Sequence, residues 1–184
     1  MTRLEPLPPS SLDSNQRELY ESIAGGPRAQ GEQHFDLTRT DGALLGPFTA
    51  LLLSPVLGSA LQELGAAVRF HTSLSARCRE IAILTVAAHW DSAFERSAHE
   101  SVGRAAGLTE EVLRQIRART VPALDDPHES AYAHLAMGMV EGDVDDESWS
   151  THACVVGEAG VFELSTLVGY YATLALQMRI FRVD

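Results

Sequence analysis

The chain has 184 residues, with 14 basic and 25 acidic side chains, a formal charge of −11 and 45% hydrophobic residues. That balance fits one soluble globular domain and argues against nucleic acid, because no Lys/Arg run offers phosphate a positive face. The two cysteines, Cys78 and Cys154, lie far apart and make neither a disulfide framework nor a paired zinc motif, the usage of a cytoplasmic protein.

The opening stretch MTRLEPLPPS lacks the basic-then-apolar order of a signal peptide. Over 12–23, Leu12, Leu19, Tyr20 and Ile23 recur at mixed helical spacing, and Gly25-Gly26 stop the pattern. Residues 27–41 are polar and irregular. Gly46-Pro47 then opens a short apolar helix through Leu53, and Ser54-Pro55 marks the N-cap and first position of a helix to about residue 68. Ser75 begins another, with Ile81, Leu84, Thr85 and Ala88 along one side. The chain restarts at Asp91-Ser92, and Gly107-Leu108 carries the glycine-then-apolar pattern of a Schellman cap. Thr109 caps a helix that turns Val112, Leu113 and Ile116 inward.

Helices over about 127–139 and 147–158 follow, with acidic DVDDE at 143–147 as a solvated loop. The last helix spans 161–181. Glu163, Ser165, Thr166, Gln177 and Arg179 interrupt it, so it reads as a helix buried on several sides and not as a membrane span. The expected fold class is all-α, a single-domain helical bundle. Residues 1–44 form an N-terminal extension (a helix plus a polar loop), and 45–184 the helical domain. Helices 51–68 and 161–181 carry more apolar surface than one small bundle covers, so a symmetric homo-oligomer is expected.

The stretch 77–107 carries the chemistry: RCREIAILTVAAHWDSAFERSAHESVGRAAG. Ser92, Glu95 and His99 fall at i, i+3 and i+7, which puts a hydroxyl, a carboxylate and an imidazole on one helical face. Glu80, one helix earlier, can face them across an antiparallel pair. A carboxylate beside an imidazole is the minimum for acid–base work near neutral pH. The same residues also have a structural reading, with Ser92 and Glu95 as a capping box and His99 as a polar-face residue. Glu95 and His99 could contribute to a metal site, but no second such pair occurs, and no metal is expected. His34, His71, His128, His134 and His152 show no ligand spacing. Cys78 reads as a small buried hydrophobe. Tyr170 and Tyr171 lie in the last helix, where at least one should be core.

This stretch resembles the carboxymuconolactone decarboxylase family, within the superfamily that includes alkylhydroperoxidase D. The peroxidase branch carries a Glu, then after eleven residues Cys-x-x-Cys, then x-x-x-His. Counting from Glu80 puts Ser92, Glu95 and His99 at the three later positions with the spacing intact. Arg77-x-Arg79-Glu80, His89-Trp90, Ala105-Ala106-Gly107-Leu108, Gly46-Pro47-Phe48, Ser54-Pro55 and Val168-Gly169-Tyr170-Tyr171 add to the likeness, which runs from about Leu45 onward. Both redox cysteines are replaced, and neither Ser nor Glu can attack a peroxide and resolve the product as two thiols do.

The resemblance therefore implies an alkylhydroperoxidase D-like bundle of the decarboxylase type, working on a small molecule without metal or organic cofactor and assembled as a homo-trimer or hexamer. It implies His99 as proton donor, Glu95 orienting it and Glu80 tuning both. Arg77 would hold a substrate carboxylate, with Ser92 and Trp90 lining the substrate site. Arg79 is the better candidate to pair with a helix carboxylate. A lactone isomerase or cyclase, and a non-catalytic ligand-binding subunit, are the alternatives.

Overall fold

Up to residue 141, the helices of the computed structural model, which describes residues 2–26, 29–30 and 35–183, start and stop close to where short-range sequence signals put them. Part of the stretch expected to be irregular (Pro27, Arg28 and residues 31–34, His34 among them) lies outside the described residues. The fold is all-α: among the described residues the one β feature is an isolated antiparallel bridge between Thr38 and Leu44. In chain order the helices are α1 Ser14–Ala24, α2 Pro47–Leu51, α3 Pro55–Phe70, α4 Ala76–Trp90, α5 Ala93–Ala105, α6 Glu110–Arg117, α7 Pro127–Glu141, the single turn α8 Asp146–Ser148 and α9 Cys154–Phe181.

The chain forms two compact units. One holds the described residues up to His71 together with those from Leu174 onward, and the other spans Thr72–Thr173.

In the first unit, Asp13 and Gln16 close a reciprocal capping box that starts α1. Leu12, Leu19 and Ile23 then pack with Leu37, Leu44, Phe48, Leu51 and Leu52. Gly58 sets how closely α3 lies against this cluster. A Cβ there would stand 2.3 Å from the Leu51 carbonyl oxygen and 2.7 Å from a Leu19 methyl carbon, so no side chain fits without moving backbone. The two ends of the chain meet in this unit, where the Arg3 N–H donates to the Phe181 carbonyl oxygen at 2.8 Å.

The second unit is built around α4. Its residues Ile81 to Ala87 are all buried, which is what a helix apolar on every side requires, and it packs against α5, α6 and α7. Asp91 ends α4 in the left-handed conformation (φ 52°), so α5 folds back as a hairpin. Gly107 (φ 89°) completes the expected Schellman cap, with the Leu108 N–H donating to the Gly103 carbonyl oxygen at 2.8 Å. Thr109 caps α6, and Val112, Leu113 and Ile116 face the core.

The region expected as two helices, 147–158 and 161–181, differs in detail. A π-helical segment, Trp149–Ala153, precedes α9, and the break falls inside α9 at Gly157 (φ 74°, ψ 164°). Residues Asp146–Phe181 are long and apolar enough to cross a bilayer by length and composition, a property shared with core helices of soluble proteins. Leu164, Leu167, Tyr170 and Tyr171 of this stretch are buried in the second unit.

Candidate acid–base site

Four polar residues of α4 and α5 are sunk in the second unit. Glu80 is 1% exposed, Glu95 2%, Ser92 4% and His99 5%. Polar and ionisable groups are removed from water only against compensating contacts, and the main one is explicit: His99 Nδ1 lies 2.7 Å from Glu80 Oε2. With Glu80 as the carboxylate, the Nδ1–H donates in this bond, and Nε2 is the ring's other nitrogen.

The hairpin at Asp91 brings Glu80 and His99 together, running α5 back along α4. Arg79 Nε stands 4.0 Å from Glu80 Oε1. The Tyr171 ring lies edge-to-face to the imidazole at 5.2 Å between centroids, and Tyr170 meets Tyr171 in the same way at 5.2 Å.

Ser92 is the N-cap of α5 by position, but its side chain makes no capping hydrogen bond. Its Oγ is buried and unbonded among the described residues. The capping-box reading of Ser92 and Glu95 is therefore not realised, and the two side chains share the buried face that carries His99.

The remaining candidates lie elsewhere. Arg77 is committed to α7: its Nε donates to Glu129 Oε1 at 2.6 Å and its Nη2 to Glu129 Oε2 at 2.9 Å, while Nη1 donates to the Gly107 carbonyl oxygen. This pair holds the Arg77 guanidinium above its ordinary pKa, the hydrogen bond to Glu129 outweighing partial desolvation. Glu129 thus occupies the fork that a substrate carboxylate would need, which corrects the expected role of Arg77. Arg77 lines a cavity of about 650 Å³ with Cys78, Asp126, His128, Glu129 and Tyr132, and none of Glu80, Ser92, Glu95 or His99 lines it. Trp90 is half-buried at the end of α4, its ring edge-on to His89 at 6.2 Å. Among the described residues, no three His, Cys, Asp or Glu side chains are grouped to hold a metal ion.

The contact that sequence reasoning did not assign is Tyr171 on His99. The run Val168-Gly169-Tyr170-Tyr171 drew attention to the place without saying which ring would face the imidazole.

Residues 55–137 match the model of the carboxymuconolactone decarboxylase family. A solved structure described as an alkylhydroperoxidase AhpD core, an uncharacterized peroxidase-related protein from Ralstonia eutropha JMP134, shares the fold with a TM-score of 0.75. The match covers 100% of this chain and 91% of that one at 12% identity, a likeness of fold alone. No curated protein matches the chain in sequence. The family likeness thus spans residues 55–137, which include α4, α5 and the Glu80–His99 contact, and the chain as a whole has an alkylhydroperoxidase D-like fold.

Proposed function

We propose that the protein is a cofactor-independent lyase that decarboxylates a small carboxylated unsaturated lactone or a related cyclic compound. The observation that carries this reading is the buried 2.7 Å contact between His99 Nδ1 and Glu80 Oε2. A carboxylate on one ring nitrogen fixes the orientation of the imidazole and supports its positive charge, leaving the other nitrogen to deliver a proton.

In the proposed reaction the bond to the substrate carboxylate breaks and carbon dioxide leaves. The electron pair passes into the conjugated lactone, where negative charge develops on the carbonyl oxygen as a dienolate. His99 Nε2 then gives its proton to carbon and is reprotonated from solvent. Arg79 suits the orientation of the departing carboxylate better than Arg77, because its buried Nε makes no hydrogen bond among the described residues. Ser92 supplies a hydroxyl to the developing charge, and Glu95 strengthens the hold on His99. With all four residues at most 5% exposed, substrate enters only when the side chains covering them move aside.

The test is carbon dioxide release from a panel of carboxylated lactones, beginning with 4-carboxymuconolactone. His99→Ala is expected to lower turnover by about two to four powers of ten, the worth of a positioned general acid. Glu80→Gln should also depress it while leaving the fold intact. A product that keeps its carboxylate would mark an isomerase or cyclase built on the same proton donor. Full turnover in both variants would remove His99 and Glu80 from the chemistry.

A further inference from the structure

The cavity of about 650 Å³ beside Arg77 is as large as the clefts that hold small molecules, and all its lining residues belong to the second unit. One of them carries a polar group that the fold leaves without a partner. Tyr132 of α7 is only 7% exposed, and its hydroxyl makes no hydrogen bond among the described residues. Burial, and then the neighbouring Cys78 and Glu163, push its pKa up, so at neutral pH it stays a phenol able to donate.

The charges around the cavity decide the class of ligand. Glu129 fills the Arg77 fork, so that guanidinium is already matched. Helices α4 and α7 both begin here, but Ser75 Oγ accepts the Cys78 N–H, and Asp126 Oδ1 accepts those of His128 and Glu129. An anion would find these donors spent. Asp126 Oδ2, by contrast, accepts no hydrogen bond among the described residues, and Asp126 is exposed. The carboxylate left over is therefore that of Asp126, while Ala76, Ala106 and Val156 supply apolar wall.

We infer that this cavity is a second ligand site, for a small organic cation whose ammonium pairs with the Asp126 carboxylate and whose oxygen accepts from the Tyr132 hydroxyl. None of Glu80, Ser92, Glu95 or His99 lines it, so the site is separate from the acid–base residues.

The test is a saturation-transfer NMR titration of the full chain at pH 8, where an ordinary imidazole such as that of His128 is uncharged. The probes are straight-chain aminopentanol with its groups at opposite ends, the corresponding diol, and hydroxypentanoate. Aminopentanol should bind with a millimolar Kd, the scale that ligand efficiency sets for so small a molecule. The diol and the carboxylate should bind at least about fivefold more weakly. Asp126→Asn keeps an oxygen for the helix cap and removes the charge, so it should bring the amine down to the level of the diol. Tyr132→Phe should weaken the amine and the diol alike by about fivefold, the worth of one hydrogen bond. His99→Ala should leave amine binding unchanged.

A diol or carboxylate that binds as tightly as the amine would overturn the cation assignment. Amine binding that survives both Asp126→Asn and Tyr132→Phe, or that is lost in His99→Ala, would remove the ligand from this cavity. Failure of the amine to saturate at tens of millimolar would end the inference.

Discussion

Ser75 and Ser92 occupy the same position, the N-cap, at the starts of successive helices, yet only Ser75 spends its hydroxyl on the backbone. Ser75 Oγ accepts from the Cys78 N–H at 3.1 Å, whereas Ser92 Oγ is buried without a hydrogen bond. Ser75→Ala should therefore cost about 1 kcal/mol of stability, the ordinary worth of a cap. Ser92→Ala should change stability by less than about 0.5 kcal/mol, since no capping bond is lost. Urea unfolding of the two variants side by side checks this, and equal losses would restore the capping-box reading.

His134 and His152 stack with ring centroids 4.3 Å apart and planes 10° from parallel. Burial and then the neighbouring His152 push the His134 pKa below its ordinary value. The folded state thus binds the His134 proton less readily than the unfolded state. Its contribution to stability is complete above about pH 6.5 and is lost as pH falls through the depressed value. Melting temperature between pH 7.5 and 5 should fall more steeply in the native protein than in His134→Gln. Superimposable curves would exclude the pair as a source of acid sensitivity.

The two thiols should behave differently. Burial pushes the Cys78 thiol up, while Cys154 is exposed. A thiol reagent at pH 8 should titrate one group quickly in the folded protein and the second only after denaturation. With no thiol at the positions of Ser92 and Glu95, organic hydroperoxides should not be reduced at the expense of a dithiol donor, and Cys78→Ser should leave turnover unchanged. Peroxide turnover that disappears in Cys78→Ser would contradict this.

Helix α3 presents Val56 (86% exposed) and Leu57 (66%) to solvent, with Leu64 and Phe70 of the same helix and Leu53 just before it also exposed. An apolar helix face of this kind is the type of surface that oligomers cover. Light scattering is expected to return a homo-trimer or hexamer, and Leu57→Glu should shift the mass downward. A monomer at micromolar concentration would remove the expectation.

The legible parts of this fold are the short-range ones. Ser75, Thr109 and Gly107 act on backbone groups a few residues away, so their types alone announce helix starts and stops. Gly157 and Gly160 show where such reading fails. Both interrupt an apolar run, but the break falls at Gly157, while Gly160 stays helical and gives room to the Tyr132 hydroxyl, which a Cβ there would meet at 2.7 Å. The partner that decides is distant in sequence.

The site divides in the same way. The i, i+3, i+7 spacing placed Ser92, Glu95 and His99 together on one buried face of α5, and the antiparallel pairing of neighbouring helices added Glu80. The Arg77–Glu129 pair and the Tyr171–His99 contact join segments far apart in the chain, and a side chain's choice of such a partner leaves no local pattern.

The hydrogen bond between Arg3 and Phe181 has a consequence for the order in which the molecule is made. The first unit begins near the start of the chain and closes with residues near its end. At roughly 5–20 residues per second, its closing segment follows the opening one by on the order of ten seconds or more. Thr72–Thr173 is one uninterrupted stretch, so every residue of the acid–base unit has been made before the short segment that completes the first unit. Until the end of the chain is made, Arg3 waits without the Ile180 and Phe181 carbonyls it bonds, the period in which a nascent chain of this topology is open to chaperones and to premature association.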